Sequence, residues 1–182
     1  MRIVAGELKG RTLKGLGDLA IRPTSERVRE AVFSAIGSRR KLVGLQVLDL
    51  FAGSGALGIE ALSRGAKSCT FVEKDKKVTQ ALKLNLETFG QSANCVLENQ
   101  AVESFLKHKQ TTYDLIFADP PYGSVNERDL AELLINAGVF RQGSLFIFED
   151  ASASSEESYG SLKVLSRKAY GDTFVTMMEH AN

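Results

Sequence analysis

Two features of the chain predict an α/β sandwich on a mostly parallel sheet with an antiparallel edge. Short apolar runs of strand length alternate with amphipathic helical stretches through the body, and the last two strand-like runs, residues 162–169 and 173–178, are separated only by Tyr170-Gly171-Asp172, a hairpin turn. With 182 residues, 43% of them hydrophobic and 25% charged, the chain can bury one sizeable core without staples. No apolar run approaches the length needed to span a bilayer, and Met1-Arg2-Ile3-Val4 lacks the apolar stretch of a secretion signal, so a cytoplasmic location is expected. Cys69 and Cys95 lie far apart, each in an apolar run, as buried free thiols do. His108 and His180 have no ligand-type cluster beside them, so neither a metal site nor a histidine triad is expected.

The net charge of +1 conceals an asymmetry. Residues 1–41 hold ten Lys/Arg against four acids, a net of +6, and the remainder holds thirteen against eighteen, a net of −5. A basic arm on a mildly acidic body suits a phosphate-rich partner, although solvated cations on a small domain have the same composition. Arg2, Lys9, Arg11, Lys14, Arg22, Arg39 and Arg40 are the candidate contacts to RNA or DNA. The segments 2–5 and 12–14, set among Gly6, Gly10, Gly15 and Gly17, predict a small hairpin arm rather than a core element, with residues 1–20 as the arm and 21–182 as the body.

The body then reads in order. Pro23-Thr24-Ser25-Glu26 opens a helix whose apolar stripe is Val28, Ala31, Val32, Ala35 and Ile36, with Arg27, Arg29 and Glu30 on the other face. A buried strand over 47–51 runs into Ala52-Gly53-Ser54-Gly55-Ala56-Leu57-Gly58 and a helix. Strands follow over 68–72, 94–97, 113–117 and 144–148, which with the closing hairpin makes seven. Helices are expected over 76–89, around Val102 to Leu106, and after Asn126. Residues 151–161, serine-rich and acidic, are expected as a mobile surface loop.

In an open α/β sheet ligands bind beyond the carboxyl ends of the strands, and chemistry-bearing residues fall at four such ends. The glycine turn after the first strand lets the backbone approach a ligand, yet Asp49 would repel a pyrophosphate and hold an ammonium. Glu73, about twenty residues past the first glycine, suits a ribose diol. Gln100, beside Asn99, offers an amide to a base edge, though an ordinary loop there is an equal reading. At the fourth end stands Asp119-Pro120-Pro121-Tyr122. The two prolines end the strand's ladder and supply no N–H, so the Asp119 carboxylate and the Asp119 and Pro120 carbonyls form a donor-poor cluster. The two N–H bonds of a nucleobase amine fit such a cluster, with Tyr122 to stack on the base. A rigid turn with no further role is the plainer alternative.

These motifs resemble those of class I S-adenosylmethionine-dependent methyltransferases, and within them the bacterial 16S rRNA guanine-N2 methyltransferases. The resemblance covers essentially the whole chain, from Arg2-Ile3-Val4-Ala5-Gly6 and Arg22-Pro23-Thr24-Ser25-Glu26-Arg27 through Asp49-Leu50-Phe51-Ala52-Gly53-Ser54-Gly55 to Asp119-Pro120-Pro121-Tyr122. It implies a Rossmann-like sandwich on a seven-stranded sheet and S-adenosylmethionine as cofactor, with no metal. Asp119, Pro120 and Tyr122 would be catalytic. Asp49, Phe51, Gly53 and Gly55 would line the methionine end, Glu73 the ribose, Gln100 with Ala101 the adenine, and Thr24 with Arg27 would approach the cofactor's carboxylate. Many relatives carry an acid where Gln100 stands. The implied partner is 16S rRNA within a 30S subunit or its assembly intermediate, without a membrane, and the chain is expected to act as a monomer. Adenine-N6 methylation of DNA or RNA is the nearest rival activity, and a nicotinamide-dependent oxidoreductase is the rival from another class.

Overall fold

The computed structural model describes residues 1–14, 26–108, 111–152 and 154–181. Their order is α1 (Glu26–Gly37), β1 (Gln46–Leu50), α2 (Ala56–Ser63), β2 (Ser68–Val72), α3 (Lys76–Thr88), β3 (Cys95–Glu98), α4 (Val102–Lys107), β4 (Tyr113–Ala118), α5 (Glu127–Asn136), β5 (Phe140–Asp150), β6 (Ser158–Tyr159), β7 (Leu162–Tyr170) and β8 (Thr173–His180). The sheet runs β3-β2-β1-β4-β5-β8-β7-β6, parallel from β3 to β5 and antiparallel beyond. The chain turns back between β1 and β4, which opens a crevice at their carboxyl ends.

Strand alternation sorts the core into two layers. Val47, Phe117 and Ile147 face a layer shared with Val32, Ile59 and Leu82 of α1, α2 and α3. Leu48, Ile116 and Phe146 face the other, with Phe105 of α4 and Leu134 of α5. Every residue of α2 is buried, as befits a helix apolar all round. Asp75 caps α3 by accepting from the Lys77 and Val78 N–H groups, and Asn126 caps α5 through Arg128 and Asp129.

The seven expected strands are present, with an eighth beside them. Ser158–Tyr159 falls inside the segment expected to be a mobile loop and pairs with β7, because Tyr159 is buried against α5 and shares a hydrogen bond with Ser154 at 2.8 Å. The expected N-terminal hairpin pairs, with Ile3 N–H on the Arg11 carbonyl and Leu13 N–H on the Met1 carbonyl, but it does not stand apart from the core. Residues 1–14 form one isolated antiparallel bridge, Arg2 to Thr12, and stand within the body, since Ile3, Leu8 and Leu13 are buried in the same core layer as α1 and α2. Residues 15–20 of the arm lie outside the described residues.

The face of α1 opposite the expected stripe is not simply solvated, because Arg29 lies buried there. It is 0% exposed and 3.7 Å from the equally buried Glu60 of α2. Glu60 also accepts from Val4 N–H at 2.8 Å, Ala5 N–H at 3.0 Å and Arg64 Nε at 2.8 Å. Arg29 reaches the Arg2 carbonyl and lies 2.8 Å from Met1 Sδ. This charged node staples the N-terminal segment to two helices, and Phe33 takes the apolar position that the stripe assigned elsewhere.

Candidate functional site

A pocket of about 620 Å³ opens where β1 and β4 end. The glycine turn forms its floor. Phe51 holds a left-handed backbone (φ 57°), a strained state for a bulky residue, and Gly53 and Gly55 follow at φ 55° and 79°. The two glycines serve different ends. A Cβ on Gly53 would have as its nearest neighbour the Phe51 carbonyl oxygen at 3.9 Å, so the turn presents bare backbone to the pocket. A Cβ on Gly55 would collide with Leu82 Cδ1 at 2.3 Å, and Gly55 is absent from the pocket wall. Gly55 therefore lets α2 pack on α3.

Acids far outnumber bases among the described residues of the wall. Asp49, Glu73, Asp75, Glu103, Asp119 and Glu149 line the pocket, against Lys74 as the one base among its described residues. Asp49 is 2% exposed and accepts from Gly58 N–H at 2.8 Å. Burial pushes its carboxyl well above the usual range, the Gly58 N–H opposes this, and the charges of Asp119 and Glu73 reinforce it. A cationic ligand reverses that repulsion. Glu73 is held at both oxygens, by Gly53 N–H at 3.1 Å and Asp75 N–H at 2.8 Å, which ties the tip of β2 to the glycine turn.

The Asp119-Pro120-Pro121-Tyr122 corner closes the opposite wall, and all four residues line the same pocket as Asp49 and Gly53. Pro120 is buried, whereas Tyr122 is 40% exposed and shares a hydrogen bond at 2.7 Å with Thr173 at the start of β8. That bond fixes the ring at the pocket mouth, half open to whatever enters.

Asp49, Phe51, Gly53, Glu73, Gln100, Ala101, Asp119, Pro120 and Tyr122 are thus gathered in one cavity, although they come from four strand ends. Gln100 turns its amide onto Glu98 at 3.0 Å. Asn99 braces the loop after β2 through the carbonyls of Glu73 and Lys74 and is not in the wall. Arg27 is exposed and outside the wall, and Thr24 and Arg22 lie outside the described residues. Among the basic candidates, Arg2, Lys9, Arg11, Lys14 and Arg39 are exposed. Arg11 spans the Thr88 carbonyl at 2.6 Å and the Phe89 ring at 4.6 Å. Arg40 is partly buried, and its guanidinium binds the Asp114 carbonyl at 3.2 Å and the Gly143 carbonyl, at the opposite ends of the strands from the pocket.

Several wall residues carry no local sequence signal. Met1, Val28, Glu149, Tyr170 and Thr173 reach the pocket only because the N-terminal segment, α1, β5, β7 and β8 converge there. Asn85 lies on the buried face of α3, as an apolar pattern suggests, yet its amide accepts from Lys14 N–H at 2.9 Å and donates to the Ser54 carbonyl at 3.4 Å. It links the N-terminal segment to the glycine turn.

A parallel sheet with an antiparallel β5-β8-β7 edge, and a pocket at the β1/β4 reversal with an acid at each flanking strand end, define the class I methyltransferase architecture. The chain belongs to the family described as Conserved hypothetical protein 95, whose profile matches residues 1–179. It is 35% identical over 181 residues to YlbH of Bacillus subtilis, provisionally named an rRNA methyltransferase, with 97% of each chain aligned. It is 42% identical over 136 residues to Ribosomal RNA small subunit methyltransferase D of Escherichia coli K12, covering 75% of this chain and 65% of that protein. The solved structure of Escherichia coli yhhF, provisionally described as a methyltransferase, superposes with a TM-score of 0.87 at 31% identity over 100% of this chain and 98% of that one.

Proposed function

We propose that the chain methylates the exocyclic N2 amine of a guanine in 16S rRNA, with S-adenosylmethionine as methyl donor. One observation carries the reading: the donor-poor Asp119-Pro120 corner and the glycine turn share a single acid-lined cavity, so an amine and a cationic methyl donor can be held against each other. The small-subunit rRNA methyltransferases among its relatives support the substrate.

The residues present suit that cofactor. Its sulfonium and ammonium match a wall of carboxylates, and the open side of Gly53 admits close approach to backbone. Asp49, Phe51 and Gly53 would hold the methionine end, Glu73 the ribose hydroxyls, and Gln100 with Ala101 the adenine. When bound, S-adenosylmethionine supplies an electrophilic methyl group. The protein's own part is to prepare the nucleophile. A guanine amine is a poor nucleophile because its lone pair is spread into the ring. Asp119 and the Pro120 carbonyl accept its two N–H bonds, which favours the pyramidal nitrogen on which that pair is localised. The Asp119 charge stabilises the positive charge developing there. Tyr122 stacks on the base, which reaches the pocket only when unstacked or presented from a loop.

The RNA is proposed to be engaged within the 30S subunit or an assembly intermediate by a monomer, with Arg2, Lys9, Arg11, Lys14 and Arg39 as exposed candidates for phosphate contact. The test offers S-adenosylmethionine with unmethylated 16S transcript and, separately, with assembled small subunits, followed by nucleoside digestion. N2-methylguanosine is expected, and Asp119→Ala should abolish it while leaving S-adenosylhomocysteine affinity nearly intact. N6-methyladenosine, or normal turnover by the Asp119 variant, overturns the proposal.

A further inference from the structure

We infer that Glu149 selects guanine over other purines by accepting the hydrogen bond of the base's N1–H, while Asp119 holds the neighbouring amine. The inference rests on the proposed guanine-N2 reading and adds the residue that makes the site a guanine site.

The register of β4 on β5 pairs Phe117 with Ile147 and Ala118 with Phe148. The next residues are Asp119, just past the end of β4, and Glu149, still within β5, so the same register carried one step on sets them on neighbouring strand ends. Alternation fixes the face they share. Ala118 and Phe148 belong to the layer of α4 and α5, and Phe117 and Ile147 to the layer of α1 to α3. Asp119 and Glu149, two residues on from Phe117 and Ile147, therefore turn to the α1 side, where the pocket lies, and both line it. Glu149 is 6% exposed, held in the β5–β8 ladder opposite Val175, so it is a fixed wall group rather than a surface acid.

Two adjacent carboxylates match one purine edge. Guanine presents three donors in a row, N1–H and the two N–H bonds of N2. Adenine presents an amine beside N1, a bare acceptor, so a base whose amine sat at Asp119 would set N1 against the Glu149 oxygens. A buried acceptor facing an acceptor loses its hydrogen bond and gains repulsion. Sites built to bind a donor reject analogues that lack it by factors on the order of 10⁴.

2-Aminopurine separates this idea from the general mechanism, because it keeps the N2 amine and replaces N1–H with an acceptor. The target guanine is first mapped on 16S transcript, and 2-aminopurine is then placed at that position by ligation. The wild-type protein should methylate guanine at least 100-fold faster than 2-aminopurine. Glu149→Gln, whose amide can also donate, should narrow that ratio tenfold or more while S-adenosylhomocysteine still binds. The fluorescence of the 2-aminopurine RNA gives a readout independent of turnover, since unstacking into the pocket brightens it: a larger rise is expected with Glu149→Gln than with wild type. Equal use of both bases by wild type, or a Glu149→Gln protein that slows both substrates alike, overturns the assignment. Failure of wild type to methylate any guanine sinks the reading beneath it.

Discussion

The two ends of the sheet use charge in opposite ways. At the amino ends of β1 and β4, Arg141 spans Asp114 at 2.9 Å, Thr112 and Gln46, while the second Asp114 oxygen accepts from Gln46 N–H at 2.8 Å. Arg40 closes the same edge on two carbonyls. Cation and anion meet there, and the arrangement holds strands in place. At the carboxyl ends Asp49, Glu73, Asp119 and Glu149 surround a cavity into which no arginine projects among the described residues. Like charges gathered around a void raise the free energy of the empty protein, and a cation entering that void relieves it. The difference teaches that a charged residue's role follows from what its neighbours have already neutralised. The Arg29–Glu60 node makes a third case, paired like the amino edge but buried beside the pocket.

The comparison breaks most severely at that node. Glu60→Ala removes the acceptor for two backbone N–H groups and leaves Arg29 buried without its counter-charge, and losing one partner of a buried pair costs about 3–5 kcal/mol. For a chain of this length that lowers Tm by roughly 10 °C. Calorimetry of the variant checks it, and an unchanged melting profile would mean that the node stabilises nothing. Because the node carries Val4 and Ala5, removal of residues 1–14 should also lower stability as well as any RNA affinity.

Asp49→Asn sharpens the contrast with an effect of the opposite sign. Since burial raises the Asp49 carboxyl's folded pKa, folding takes up a proton between the unfolded value, about 4, and that raised value. Stability is therefore lost as pH rises through the window. The asparagine variant, which can still accept from Gly58, escapes that loss. It should melt higher than wild type near pH 8 by about 2–4 °C for each kcal/mol relieved, with the gap closing towards pH 4, and it should bind S-adenosylmethionine more weakly. A wild-type protein that is the more stable of the two at pH 8 would show that the acid wall carries no strain.

The smallest effect belongs to the amino edge. Arg40→Ala should cost about 1 kcal/mol from its lost carbonyl contacts and leave RNA affinity and its salt dependence unaltered. A salt slope reduced by about one unit would return Arg40 to the RNA-binding surface.

Much of this molecule was legible in the order of its residues. The strand at 68–72 coincides with β2, the alternation of apolar runs gave the parallel body, and the Gly171 turn gave the closing hairpin. Nine of the expected catalytic and cofactor residues meet in one pocket because a parallel sheet places every strand's carboxyl end on the same edge. What the sequence did not reveal has one cause. Arg29 stood opposite the apolar stripe of α1, Gly55 belonged to a ligand motif, and Arg40 sat in a basic run. Each identity was plain, but its partner lay elsewhere in the chain: Glu60 for Arg29, Leu82 for Gly55, Gly143 for Arg40.

Periodicity, prolines and glycines are local, and they located the strands and the residues near their tips, though the strand expected over 144–148 runs from Phe140 to Asp150. Which tips become neighbours, and which charges are cancelled before a ligand arrives, depends on contacts across 30 to 100 residues of chain. Glu149 and Thr173 joined the pocket only when β5 and β8 were zipped beside β4. The energy of a buried charge is set by its surroundings, and those exist only once the chain has closed around it.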